Sequence, residues 1–143
     1  MRDIIKTLKT LLPCEQFVVT GSYALNKFGL SDKVGDLDII VVNPTEEALN
    51  IMNRMAADFP AKTQFNYKEK GFIFMMNDVK VDIFVKKELV VTDITADGVL
   101  ISTVSHIVKE KKSINRMKDW LQLRKIAGQI CNAKEFTDFL DKQ

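Results

Sequence analysis

The chain has 143 residues, of which 46% are hydrophobic and 28% charged, with a formal net charge of +2. These values suit one soluble domain with a real core. The small net charge gives no ground for nucleic-acid or membrane binding, and no apolar run is long enough to span a bilayer.

The opening segment, "MRDIIKTLKTLL", sets Ile4, Ile5, Leu8, Leu11 and Leu12 on one helical stripe that ends at Pro13. Charges interrupt its apolar residues, so it does not read as a signal peptide, and packing on the domain suits it better than a membrane surface. Cys14 and Cys131 have neither metal nor redox spacing. They read as free thiols of a reducing cytosol, a single long-range disulfide being the alternative, and a cytoplasmic protein is expected.

A short strand, "QFVVT", leads into Gly21 and Ser22, which open a helix over roughly 22–29. Ser22 suits its N-cap and Gly29 its stop. "DLDIIVV" is the next strand, ended by Asn43 and Pro44. Asn43, Pro44 and Glu46 fit N-cap, N1 and N3 of a helix whose apolar residues Ala48, Ile51, Met52, Met55 and Ala56 recur at helical spacing. Two strand-like segments follow, "KTQFNY" and "GFIFMM", before Asn77 and Asp78 turn the chain. "VKVDIFV" alternates most regularly, and "ELVVTDI" adds an edge strand. From about Ile101 the pattern turns helical, in two or three helices. There is no repeat, low-complexity tract or linker. The expected architecture is a single α+β domain over 1–143, with a mixed-sheet core at about 15–95 flanked by helices and a helical C-terminal third at about 101–141.

Three acids stand out. Asp36 and Asp38 are two apart at the start of an apolar strand, so their side chains share a face about 7 Å apart along the chain. Such a pair repels, and each carboxylate raises the other's pKa unless a cation sits between them. Asp82 lies in mid-strand, where a lone charge is costly. If the two strands are neighbours with matching faces, three carboxylates converge, enough to hold two divalent metals for in-line displacement at phosphorus. Gly21 permits close backbone approach, and the N–H groups at a helix start suit a phosphate, with the Ser22 hydroxyl beside them. Each piece alone has a plainer reading, a helix cap or a strand-edge acid pair; their order and spacing favour a site. No GxxxxGK[ST] motif is present, and the single His106 suggests no nucleophilic triad.

The set "VVTGSYAL", "GDLDIIVV" and "VKVDIFV" resembles the nucleotidyltransferase superfamily with the DNA polymerase beta-like fold, over roughly residues 15–86. The resemblance implies that Gly21 and Ser22 hold the triphosphate, that Asp36, Asp38 and Asp82 bind Mg2+ or Mn2+, and that Asp82 helps activate the attacking hydroxyl. The implied reaction transfers a nucleoside monophosphate from a nucleoside triphosphate to a hydroxyl of a protein, an RNA or a small molecule, releasing pyrophosphate. "SHIVKEKKSINRMKDWLQL" looks like the segment after the core in small bacterial nucleotidyltransferases of toxin–antitoxin and abortive-infection type. That likeness makes Lys111 a nucleotide contact, with Arg116, Lys118 and Asp119 as the accompanying run. Gln122 stands where a second Asp is usual, and Lys27 is the nearest replacement for an Arg in the Gly-Ser helix.

The plainer alternative for these C-terminal charges is a solvated helix face with local pairs such as Arg116 and Asp119. At continuous helical spacing Lys109, Lys112 and Arg116 would share one face, and Lys111 and Lys118 another. Met117 and Trp120 are expected in the core. The chain is short for an antibiotic-modifying enzyme with its own acceptor domain, so a partner protein or a homo-oligomer is an expected way to complete the site. The competing function is a nucleotide-binding or antitoxin-like module that acts by association without catalysis.

Overall fold

The computed structural model describes residues 1–61 and 71–130. The expected strand "KTQFNY", Cys131 and the helix expected after residue 130 lie outside the described residues. Five helices and six strands follow in the order α1 (Arg2–Leu11), β1 (Cys14–Thr20), α2 (Gly21–Lys27), β2 (Leu37–Pro44), α3 (Glu46–Asp58), β3 (Gly71–Met76), β4 (Val79–Lys86), β5 (Thr92–Ile94), β6 (Leu100–Ser102), α4 (Val104–Ile114) and α5 (Met117–Ile130). The strands form one mixed sheet in the order β3-β4-β2-β1-β6-β5. β2 runs antiparallel to β1 and parallel to β4, and β1 runs parallel to β6. The architecture is α+β, as expected. Among the described residues no helix is long and apolar enough to cross a membrane.

The two faces of the sheet have different jobs. Phe17 and Val19 of β1, Ile39 and Val41 of β2, and Val81 and Ile83 of β4 belong to the main core, with Ile5 and Leu8 of α1 and Met52 of α3. The intervening residues turn the other way. There Val18, Ile40 and Val42 form a smaller apolar cluster with Phe84 and Val90. Thr20, Asp38 and Asp82 continue that second face beyond the cluster, so the sheet's own alternation puts polar groups where the apolar cover stops.

Local chemistry explains most boundaries. Gly29 has φ +73°, and the N–H groups of Gly29 and Leu30 bond to the carbonyls of Asn26 (3.0 Å) and Leu25 (2.8 Å), a Schellman stop for α2. Asn77 and Asp78 both take positive φ, 49° and 63°, as a two-residue type I′ hairpin requires between β3 and β4. The cap of α3 differs from expectation. Thr45, not Asn43, is its N-cap and accepts from Ala48 N–H at 3.1 Å. Pro44 remains in β2 opposite Cys14, and Asn43 takes φ 45° and donates to Glu15 Oε2 (2.6 Å) and the Lys87 carbonyl (3.0 Å). Ile101 does not begin a helix: it pairs with Val19 in β6, a strand of three residues that is too short to show a period. β5 is the edge strand expected within "ELVVTDI".

Candidate active site

The parallel ladder between β2 and β4 sets Asp38 directly beside Asp82, and the β1–β2 ladder sets Thr20 beside Asp38. Residues in register on neighbouring strands share a face, so the three side chains form one row. Asp82 is 3% exposed, and its Oδ1 is buried and accepts no hydrogen bond. Burial, the Asp82 charge and a proton shared with Asp82 push the Asp38 carboxyl up to about 8, with Asp36 adding repulsion and Lys111 opposing it. Burial likewise raises Asp82, against the nearby charge of Lys80.

Asp36 lies one residue before β2 rather than within it, and its side chain is half exposed. It is close enough to both other acids to raise their pKa values. A residue that the sequence reading passed over sits among them. Lys80 Nζ is 3.6 Å from Asp36 Oδ2 and 3.9 Å from Asp82 Oδ2. Its signal in the sequence was its place two residues before Asp82 on the same strand, which puts both on one face.

Among the described residues no three His, Cys, Asp or Glu side chains are arranged to hold a metal ion as they stand. The donor set nevertheless fits one. Two adjacent carboxyls resist ionisation, one buried carboxylate oxygen is unpartnered, and an ammonium already leans on the cluster. A hard divalent ion would relieve the repulsion and give the unpartnered oxygen a partner, in competition with the ammonium.

Gly21 packs against this row. It takes φ +65°, and a Cβ there would run into Asp38 Oδ2 and lie 3.1 Å from Asp38 Cγ. Only glycine combines that left-handed backbone with so close a carboxylate. Ser22 is not the N-cap of α2; Thr20 holds that position without a side-chain bond. The Ser22 hydroxyl instead accepts from Gly35 N–H at 3.1 Å and reaches the Asp36 carbonyl at 3.5 Å, tying the loop before β2 to α2. Gly21→Val is therefore expected to cost roughly 1–3 kcal/mol of stability for the backbone alone and to displace Asp38. Titrations of Mn2+ and of nucleotide should both weaken; unchanged affinity for both, in a folded variant, would make the turn purely structural.

The opposite wall comes from the C-terminal helices. One open pocket is lined by Gly21 and Asp38 on one side and by Lys111, Arg116 and Asp119 on the other, with Phe84 as part of its lining. α4 stops at Asn115, which takes φ 58°, and α5 starts anew at Met117. This break folds the basic residues around Asp119, whose side chain is fully buried. Asp119 accepts from Arg116 Nε at 2.7 Å, from Arg116 Nη2 at 3.1 Å and from the Arg116 backbone N–H at 3.3 Å, closing half of a capping box on α5. Lys111 Nζ is 3.7 Å from its other oxygen. Burial alone would raise Asp119, but the bonds and charge of Arg116 with the charge of Lys111 hold it below the usual carboxylate range. Burial lowers Lys111, against the charges of Asp119 and Asp38. Lys118 adds positive charge toward both Asp82 and Lys111.

The Arg116–Asp119 pair is thus real but is not on a solvated face. The continuous spacing expected across 109–118 fails because Asn115 interrupts it. Met117 and Trp120 are not core either: they are 80% and 39% exposed, and Trp120 Nε1 donates to Asn115 Oδ1 at 2.5 Å across the helix joint. Cys14 is a free thiol, half-buried, whose pKa burial raises.

No family model matches the chain, and no curated protein matches it by sequence. Solved structures do resemble it. TM1012 of Thermotoga maritima, a candidate nucleotidyltransferase, superposes with a TM-score of 0.53 at 20% identity, covering 90% of each chain. ANT(2″)-Ia, solved with adenylyl-2″-tobramycin, superposes with a TM-score of 0.51 at 14% identity, covering 96% of this chain and 91% of that one. The backbone that carries the row of acids and the Gly-Ser turn is therefore a nucleotidyltransferase fold.

Proposed function

We propose that the protein is a metal-dependent nucleotidyltransferase that moves a nucleoside monophosphate from a nucleoside triphosphate to a hydroxyl acceptor. The observation that carries this reading is the in-register pair Asp38 and Asp82, of which Asp38 packs on Gly21 and faces Lys111 across one pocket. Mg2+ or Mn2+ held by Asp36, Asp38 and Asp82 would neutralise the triphosphate and favour ionisation of the acceptor hydroxyl.

The chain's own residues supply the rest. Gly21 and Ser22 offer backbone N–H groups at the start of α2, where the first turn of a helix leaves donors unpaired. The acceptor oxygen attacks the α-phosphorus, a new P–O bond forms, the bond to the bridging oxygen breaks, and pyrophosphate leaves. The hydroxyl proton passes to Asp82, whose pKa burial raises, making it a stronger base than an ordinary carboxylate. Lys111, held by Asp119, faces the charge that develops on the leaving pyrophosphate. The Lys111–Asp119–Arg116 group supports likeness to the small toxin–antitoxin type. The adenylylated aminoglycoside in ANT(2″)-Ia supports a small molecule among the acceptors, beside protein and RNA.

The test is incubation of purified protein with labelled ATP, GTP, CTP and UTP, Mg2+ or Mn2+, and cell lysate. Label should move to an acceptor with at least one nucleotide. Lys111→Ala should lower that transfer at least tenfold, about 1.4 kcal/mol of transition-state stabilisation, while Arg116 keeps Asp119 paired and the fold intact. Full activity in Lys111→Ala would misplace the cation. Nucleotide binding without transfer from any of the four would favour a module acting by association.

A further inference from the structure

The acids assigned to the metal carry a cation of their own. Lys80 precedes Asp82 by two residues on β4, so both side chains leave the same face of the sheet. A lysine side chain is long and flexible enough to carry its ammonium out to water. This one turns inward instead. Its side chain is 22% exposed, and Nζ lies between Asp36 Oδ2 at 3.6 Å and Asp82 Oδ2 at 3.9 Å. It thus links an acid from the loop before β2 to an acid from the middle of β4. Without it, Asp36 and Asp82 would lose the cation that stands between them.

We infer that Lys80 is a resident counter-ion of the acid cluster, which holds the cluster together without metal and opposes the binding of divalent metal to it. The inference rests on the metal-dependent reading given above. The Lys80 ammonium stands between two of the three acids that a divalent ion would use, so metal must displace it or bind beside it. Lys80 also repels any ion bound to Asp82, because charges a few ångströms apart in a partly buried site interact strongly. It keeps metal affinity low until a triphosphate adds its own oxygens and charge.

Mn2+ titration of the metal-free full chain, read by water-proton relaxation at fixed pH and ionic strength without nucleotide, tests this. Wild type should bind Mn2+ weakly. Lys80→Met should bind Mn2+ at least tenfold more tightly, and Lys80→Arg should stay within about twofold of wild type. In EDTA, Lys80→Met should melt below wild type, and Mn2+ should restore it. Lys80→Gln, which keeps a donor beside both carboxylates, guards against a folding defect and should show the same tightening. Wild-type binding with no tightening in either neutral variant overturns the role given to Lys80 and leaves the metal-dependent reading standing. Absence of Mn2+ binding in every variant, with the fold intact, overturns that reading and this inference with it.

Discussion

Asp82→Asn and Asp38→Asn, made separately, should each lower nucleotidyl transfer at least a thousandfold, about 4 kcal/mol, yet leave the metal-free protein no less stable. The two effects have one cause. Asp38 and Asp82 stand side by side on parallel strands; burial resists the ionisation of both, and the Asp82 charge adds to it at Asp38. An amide of the same shape removes a buried acid and, on the proposed reading, a metal ligand and, at Asp82, the base. The pH dependence in EDTA separates this from a merely structural role. The Asp38 pKa in the folded chain, about 8, lies above its ordinary 3.8. The protonated form thus favours folding: its contribution is complete below about pH 4 and is lost as pH rises through about 8. Wild type should lose melting temperature between about pH 5 and pH 9 in EDTA, and Asp38→Asn should flatten that decline. Divalent metal must displace the same proton, so metal affinity should rise across the same window. Undiminished transfer in either variant, or an equally steep decline in Asp38→Asn, would remove the pair from the mechanism.

Asp119→Ala should be the most destabilising single change at the site, by about 3–5 kcal/mol, the usual loss when one member of a buried ion pair is removed. Asp119 is fully buried and is shared by Arg116 at 2.7 Å and Lys111 at 3.7 Å. Its removal takes a carboxylate from two largely buried cations at once and unties the start of α5, where it also bonds the Arg116 backbone. Lys111→Ala, by contrast, removes one cation and leaves the carboxylate bonded to Arg116, so its effect belongs mainly to activity. Urea unfolding distinguishes the two. An Asp119→Ala variant within about half a kcal/mol of wild type would return the group to an ordinary surface pair.

Much of the site was legible because its signals are local. Alternation along "DLDIIVV" and "VKVDIFV" assigned Asp38 and Asp82 to faces before any pairing was known, since a strand's period follows from its backbone. Gly29 and the Asn77–Asp78 turn were readable for the same reason: their backbone angles need particular residues. The Gly-Ser turn was visible too, although the reason for Gly21 was not. The space it lacks is taken by Asp38, 17 positions further along the chain.

By itself, then, the sequence determined most of the strands and turns, which residues share a face, and a set of closely spaced acids. Those properties depend on neighbours a few residues away. Tertiary structure alone decided that β2 and β4 are parallel neighbours in the register that sets Asp38 beside Asp82. It turned Lys80 inward to two acids, gave the Ser22 hydroxyl to the loop before β2, and brought Ile101 into a three-residue strand against β1. It also broke the C-terminal helix at Asn115, burying Asp119 between Lys111 and Arg116 and leaving Met117 and Trp120 in solvent. The physical reason is common to all of these. A strand's period says which way a side chain points, but its partner across the sheet or across the pocket comes from a distant part of the chain, and long-range packing chooses it.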